Sequence, residues 1–156
     1  MNKILQEQFF VDDLSDDQKA VITDMNHYIK DSLNGQESAV AIIQGAAGTG
    51  KSVVLMELVR QYMTDKRYRT SLVVNHPELY KAYQDLAESI PNMKASAIRR
   101  PTSLINYAQK NHKQYDIIFV DEAHLLYSKS EPYAHYRGQN QLTDLMNLAK
   151  VVVVVY

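Results

Sequence analysis

Four short apolar runs divide this chain, and amphipathic stretches lie between them. Ser38 to Gln44 (SAVAIIQ), Thr70 to Asn75 (TSLVVN), Tyr115 to Val120 (YDIIFV) and Val151 to Val155 (VVVVV) are short and rich in β-branched residues. They read as strands. The last is an uninterrupted run, the form of a central strand covered on both faces. The stretches between them have helical spacing. Ser15 is an N-cap, with Asp16 and Asp17 in the first turn, for a helix to about Leu33. Its expected inner face is Val21, Ile22, Met25, Tyr28 and Ile29, and Asn34-Gly35 stops it. Ser52 to Tyr62 predicts a second helix, with Val53, Met56, Leu58 and Val59 inward. Pro77 suits the first turn of a third, which runs through about Ile90 and is closed by Pro91. A fourth starts at Thr102 or Ser103 and runs to about His112. Gln139 to Ala149 predicts a fifth, with Leu142, Leu145, Met146 and Leu148 inward. Residues 1–13 read as a lead-in segment, and Tyr127 to Gly138 as a polar, aromatic loop.

Strands alternating with helices imply an α/β fold, a mainly parallel sheet layered between helices. Nothing marks a second domain, so 1–156 reads as one. A five-valine strand followed by one tyrosine is an unusual place for a chain to stop. The expectation is an N-terminal fragment of a longer protein, cut after its fourth strand. The alternative is a small complete domain.

Two segments carry chemistry. Gly45-Ala46-Ala47-Gly48-Thr49-Gly50-Lys51-Ser52 fits G-x-x-x-x-G-K-[ST] and lies between a predicted strand and a predicted helix. The glycines let the backbone bend so that its N–H groups point inward at phosphate oxygens. The start of the helix adds unpaired N–H groups and the positive end of its dipole. Lys51 supplies a positive charge for the β- and γ-phosphates, and Ser52 a hydroxyl ligand for Mg²⁺. The second segment, Ile117 to His124 (IIFVDEAH), is an apolar strand ending in two adjacent carboxylates. Asp121 is expected to hold the same Mg²⁺ through a water, and Glu122 to act as base for the attacking water. Alone, Asp-Glu after an apolar strand is more often a solvated turn; the phosphate loop upstream changes that reading. His124 either couples hydrolysis to a neighbouring domain or packs at the strand end. The substrate is then ATP with Mg²⁺, and the activity NTP hydrolysis.

Composition narrows the setting. Apolar residues make up 46% and charged residues 22%, so the chain can bury a core and no segment reads as disordered. No apolar stretch is of membrane-spanning length, and the N-terminus lacks a signal-peptide pattern. With no cysteine, disulfides and Cys-based zinc sites are excluded. A cytoplasmic protein is expected. The net charge of −1 gives no global basic field. Lys66-Arg67-Arg69 and Arg99-Arg100 are small basic clusters, a kind more often solvated than functional.

The two motifs resemble motifs I and II of the superfamily 1 and 2 helicase-like ATPases, GAAGTGKS the first and DEAH the second. Leu14 to Val21 (LSDDQKAV) resembles the upstream glutamine motif of superfamily 1, in which the glutamine reads the adenine edge. On that resemblance Gln18 binds the base; otherwise it is a surface residue of a first helical turn. The chain is most similar to the helicase-like ATPases related to the Schlafen ATPase/helicase domain. Gln139 to Val155 looks like their helix leading into the motif III strand. The resemblance implies a three-layer RecA-like P-loop NTPase fold. It places the Val151 to Val155 strand between the Gly45-loop strand and the Asp121 strand, with the Leu72 to Asn75 strand at the edge. It implies a nucleic-acid partner, and Asn75 or His76 stands where such a contact belongs, although the usual small-residue pattern is missing there. Motifs IV to VI, their arginine finger and the second motor domain lie outside this chain. The isolated fragment is therefore expected to be weakly active or inactive. The rival functions are a protein-remodelling or signalling ATPase and a non-catalytic module gated by ATP.

Overall fold

A computed structural model describes residues 14–44, 50–126, 138 and 140–156. The lead-in segment, residues 45–49 of the phosphate loop and most of the Tyr127 to Gly138 loop lie outside the described residues.

The element order is α1 (Asp16–Asn34), β1 (Ala39–Ile43), α2 (Lys51–Met63), β2 (Thr70–Val74), α3 (Pro77–Ser89), β3 (Ile98–Arg99), α4 (Pro101–Asn111), β4 (Tyr115–Asp121), α5 (Gln141–Met146) and β5 (Ala149–Val155). The five strands form one parallel sheet in the order β1-β5-β4-β2-β3. This is the α/β layering expected, with β5 between β1 and β4. The register sets Val151 beside both Ala39 and Ile117, and Val154 beside both Ile42 and Val120.

The chain's path explains the two helix layers. From β1 to β2 to β3 it steps one way across the sheet; from β3 to β4 to β5 it steps back. Right-handed crossovers then put the helices of the two legs on opposite faces. The side chains agree. Val151, Val153, Val155, Ile117 and Phe119 pack with Leu55, Leu58 and Val59 of α2 and Tyr83 and Leu86 of α3, joined by Ile22 and Ile29 of α1. Val152, Val154, Ile118 and Val120 pack with Leu104, Ile105 and Ala108 of α4 and Leu145 of α5. Residues alternate between these clusters along β4 and β5 because successive side chains of a strand point to opposite faces. Both faces being covered, Val151 to Val155 are all buried.

Several expectations need correction. A fifth strand, Ile98–Arg99, lies outside β2, so β2 is not the edge. Two residues carry too little pattern to be read as a strand. α5 stops at Met146, and Ala149 already belongs to β5, which pairs from there with Tyr115. Met146 is exposed. On α1 only Ile22 and Ile29 are buried, while Val21 and Tyr28 are exposed, because the helix meets the core along a narrow stripe. The Tyr28 hydroxyl donates to the Val40 carbonyl at 3.1 Å, which accounts for its outward position. α2 is buried more widely than its stripe suggests, with Val54 and Leu55 inside as well. Gly35 does end α1, but in extended conformation (φ −78°), its N–H bonding the Asp31 and Ser32 carbonyls.

Core and edge should respond differently to substitution. Phe119 is fully buried on β4, its ring 6.2 Å from that of Tyr62, whereas Ile42 on β1 is 58% exposed. Phe119→Ala should cost about 3–5 kcal/mol. Ile42→Thr should stay within about 0.5 kcal/mol of the parent. Urea denaturation of both variants checks the contrast; equal losses would contradict this arrangement of layers.

Candidate functional site

The candidate residues collect at the C-terminal ends of β1, β5 and β4. A strand buried on both faces accepts polar groups only where it ends, which is also where open parallel sheets bind ligands.

The loop after β1 reaches α2 through Gly50, at φ 78° the N-cap of that helix. Such a positive φ favours glycine. A second constraint applies at the same residue. A Cβ there would stand 2.3 Å from Nε2 of Gln18. Gln18 is thus brought against the phosphate loop although 32 residues separate the two in sequence. It also closes a capping box on α1: the Gln18 N–H donates to Ser15 Oγ at 3.1 Å, and the Ser15 N–H to Gln18 Oε1 at 3.0 Å. Its acceptor oxygen therefore already holds one hydrogen bond, while its amide nitrogen lies at the loop. α1 is fixed to α2 by Asn26, which donates to Gln61 Oε1 at 3.0 Å and accepts from the Tyr62 hydroxyl at 2.7 Å. Burial pushes the Tyr62 phenol up to about 12, so it acts there as a neutral donor.

Lys51 and Ser52 open α2, both half-buried. The Lys51 ammonium donates to the Tyr156 main-chain oxygen at the end of β5. The Tyr156 N–H in turn donates to the Ile43 carbonyl of β1 at 3.1 Å. Lys51 is therefore tied to the end of β5, which Tyr156 joins to the end of β1. Of the other loop residues, Gly45, Ala46, Ala47, Gly48 and Thr49 lie outside the described residues.

Asp121 is the last residue of β4 and is 5% exposed. Both of its oxygens are engaged. Oδ2 accepts from the Tyr83 hydroxyl at 2.6 Å, and Oδ1 from the Glu122 N–H at 2.9 Å. Burial holds this carboxyl above its ordinary value of 3.8; the Tyr83 hydrogen bond opposes the rise, nearby Glu122 adds to it, and the Lys51 charge lowers it. Burial and the Asp121 charge likewise raise the Tyr83 phenol well above its ordinary value. Tyr83 is the residue that sequence reasoning missed. It reads as one more core aromatic of α3, and nothing in a linear pattern ties it to a carboxylate 38 positions away.

Glu122 turns the chain out of the sheet at φ 53° and ψ 48°, a left-handed conformation uncommon for a non-glycine residue. Its carboxylate is partly exposed, with Oε2 3.2 Å from Nε2 of His124. His124 is 54% exposed there, so it does not pack at the strand end. Asn75 and His76 have structural partners. Asn75 accepts from Arg100 at 2.9 Å, and His76 caps α3 by accepting the Leu79 N–H at 3.2 Å.

The donor set fits Mg²⁺. Among the described residues no three His, Cys, Asp or Glu side chains converge as a cage would require. Mg²⁺ asks for less, keeping most of its waters and taking one or two protein oxygens beside phosphate. Ser52 offers a hydroxyl. Asp121 keeps an unused lone pair on each oxygen with which to accept from metal-bound waters.

The family model for the Schlafen group 3 DNA/RNA helicase domain matches residues 38–156. This chain belongs to that family. A relative in Saccharomyces cerevisiae, the uncharacterized protein YPL245W, is 42% identical over 129 residues. The match takes in 76% of this chain and 28% of the yeast protein, so the chain spans under a third of that relative's length. Among solved structures, the Legionella pneumophila ATPase DotB gives a looser likeness, with a TM-score of 0.40 and 18% identity over 86% of this chain and 35% of that one. The fold of this Schlafen group 3 domain is carried by its own strand order and layers. No helix among its described residues is long and apolar enough to cross a membrane.

Two predictions follow from the strained and buried groups. A carboxyl whose folded pKa lies above its unfolded value contributes stability that is present below about 3.8 and lost as pH rises through the folded pKa. The ionised Asp121 therefore works against the fold at neutral pH. Asp121→Asn removes that charge, and the Tyr83 hydroxyl can turn to accept from the new amide. Melting midpoints of variant and parent should lie close together in acid, with the variant's advantage opening towards neutral pH. A variant less stable at neutral pH would show that the carboxylate's hydrogen bonds outweigh its burial.

Glu122→Gly tests the backbone. It relieves about 1–2 kcal/mol of left-handed strain, against about 0.5–1 kcal/mol for glycine's extra freedom in the unfolded chain. Its midpoint in thermal denaturation should equal or exceed the parent's. A loss above about 1 kcal/mol would assign a stabilising role to the contact with His124.

Proposed function

We propose that this Schlafen group 3 domain binds ATP with Mg²⁺ at the strand ends and hydrolyses it, as the N-terminal motor domain of a superfamily-1-type DNA or RNA helicase or translocase. The observation that carries the reading is the meeting of three segments distant in sequence. Gln18 lies against Gly50, Lys51 reaches the end of β5, and its charge acts on Asp121 at the end of β4.

In this reading the start of α2 and the Gly45 to Ser52 loop cradle the phosphates with N–H groups. Lys51 exchanges its bond to the Tyr156 main-chain oxygen for charge-assisted bonds to the β- and γ-phosphates, which are about twice as strong. Ser52 and Asp121 hold Mg²⁺, which when bound neutralises charge developing on the phosphates. Tyr83 and the Glu122 N–H fix the Asp121 carboxylate. Glu122, one residue on and outside the core, accepts a proton from the attacking water or orients it. His124, 3.2 Å from the Glu122 carboxylate, would couple that step to a neighbouring domain. Gln18 offers its amide nitrogen, and the free lone pair of its oxygen, to the adenine edge. The family's description as a DNA/RNA helicase domain supports nucleic acid as the polymer on which turnover acts.

Calorimetry with ATP and GTP in Mg²⁺ tests the site. ATP should bind in preference to GTP. Lys51→Ala should weaken ATP by at least about 10- to 100-fold, the worth of one charged hydrogen bond. Unchanged affinity in Lys51→Ala would refute the site. In the full-length protein, Glu122→Gln should bind ATP normally and lose about 10²- to 10⁴-fold in turnover. Undiminished turnover would remove Glu122 as the base. Stimulation of turnover by single-stranded nucleic acid separates a helicase-like motor from an ATPase that works on protein.

A further inference from the structure

The opposite end of the sheet holds a second concavity. It is a cleft of about 640 Å³ between the segment leading into β2, the turn before β3, the start of β4 and one face of α4. β4 rises from Tyr115, in the cleft wall, to Asp121, so about 20 Å separates the cleft from the nucleotide site.

Its lining is strongly basic. Lys66, Arg67, Arg69, Lys94, Arg99 and Lys113 face two carboxylates, Asp65 and Asp116. That is a local excess of four positive charges in a chain whose net charge is −1. Both carboxylates are already committed. Asp65 pairs with Arg67 at 2.7 Å, and Asp116 accepts the Arg69 main-chain N–H at 2.7 Å. Among the described residues Lys66, Arg69, Lys94 and Lys113 form no ion pair with a carboxylate. Unpaired cations converging on a concave surface repel one another, and an anion in the cleft relieves that repulsion. The fold also separates the adjacent Arg99 and Arg100. Arg100 turns to Asn75, while Arg99 lies over Tyr107, its guanidinium carbon 4.1 Å from the ring centroid, and donates from Nε to the Ser96 carbonyl at 3.1 Å.

We propose that this cleft binds the phosphate backbone of a single nucleic-acid strand, as a contact separate from the nucleotide site. Guanidinium forks match phosphate and carboxylate oxygens alike; what favours a nucleic-acid strand over an acidic peptide is the three tyrosines among the cations. The ring faces and hydroxyls of Tyr68, Tyr107 and Tyr115 add surfaces for sugar and base. A concave wall suits a strand, where a lipid surface asks for a flat one. Contacts of this kind read charge and not sequence. The proposal rests on the nucleic-acid part of the function proposed above, and is independent of hydrolysis.

Fluorescence anisotropy of a dye-labelled 20-nucleotide oligothymidylate, without nucleotide and across a salt series, tests it. For a single strand, log affinity should fall against log salt by about 0.7 per phosphate neutralised. The triple variant Lys66→Gln, Lys94→Gln, Lys113→Gln should bind at least about 10-fold more weakly at low salt and flatten the slope by about 2. Its ATP affinity by calorimetry should equal the parent's. Lys94→Glu alone, on an exposed loop residue, gives the same direction should the triple variant fold poorly. Undiminished binding by the variants overturns the cleft and leaves the helicase reading standing. No binding of the oligonucleotide by the parent at low salt overturns both. Polyglutamate of matched charge competing as well as the oligonucleotide identifies an acidic protein as the partner and overturns the proposal.

Discussion

A parallel strand buried on both faces has nowhere to carry a polar side chain except its ends. That constraint organises this domain. Residues 117–120 of β4 and 151–155 of β5 are apolar and buried because helices cover them from both sides. β4 carries its carboxylates only near its ends, Asp116 at the start and Asp121 at the last residue, where pairing with β5 has already given out. The two-way path of the chain makes this possible. By stepping out to β3 and back, it puts α2 and α3 on one face and α4 and α5 on the other, and brings β5 in beside β1. The phosphate-loop helix and the carboxylate strand then open onto the same edge of the sheet.

The carboxylate at that edge is costly to the fold. Asp121 is nearly inaccessible, and burial outweighs its hydrogen bonds in setting its pKa. Tyr83 meets the cost only in part, because its own hydroxyl had to be buried to reach the carboxylate. One residue on, Glu122 sits in a backbone conformation that glycine would adopt more readily. A sequence selected for stability alone would place neither residue there. Unfavourable burial and unfavourable φ at adjacent positions are the pattern expected where a site is retained for its chemistry.

How much of this was legible in the sequence follows the range of each signal. Alternation and β-branched runs revealed four strands, because each spans five or more residues. β3 escaped, because Ile98-Arg99 becomes a strand only by lying beside Leu72 and Val73. The N-cap at Ser15 was local and correct. The stripe on α1 was drawn too wide, because periodicity does not say how far a helix stands from its sheet. Gly50 was legible as a flexible residue, but its contact with Gln18 was not. Gln18 itself came from a family pattern, and what sets it beside Gly50 is the packing of α1 on α2, two helices that the Asn26–Tyr62 bond joins. Tyr83 and the basic cleft share one reason for being missed: each joins residues from separate elements. Lys66 and Lys113 are neighbours only because β2 and β4 are paired in register.

The same parallel register gives the sheet two chemically distinct ends. At the C-terminal end, among the described residues, Asp121 ends the carboxylate strand, Glu122 follows it, and the Lys51 charge acts on Asp121. At the N-terminal end, Lys66, Arg69, Lys94 and Lys113 gather with no carboxylate to spare. An antiparallel sheet would mix these ends, since the start of each strand would lie beside the finish of its neighbour. In a parallel sheet all the starts lie together. The basic cluster before β2, Lys94 before β3 and Lys113 before β4 therefore accumulate at one end, although only the first stands out in the sequence. Charge separation of this kind survives a net charge near zero, and overall composition is for that reason a poor guide to whether this domain meets a polyanion.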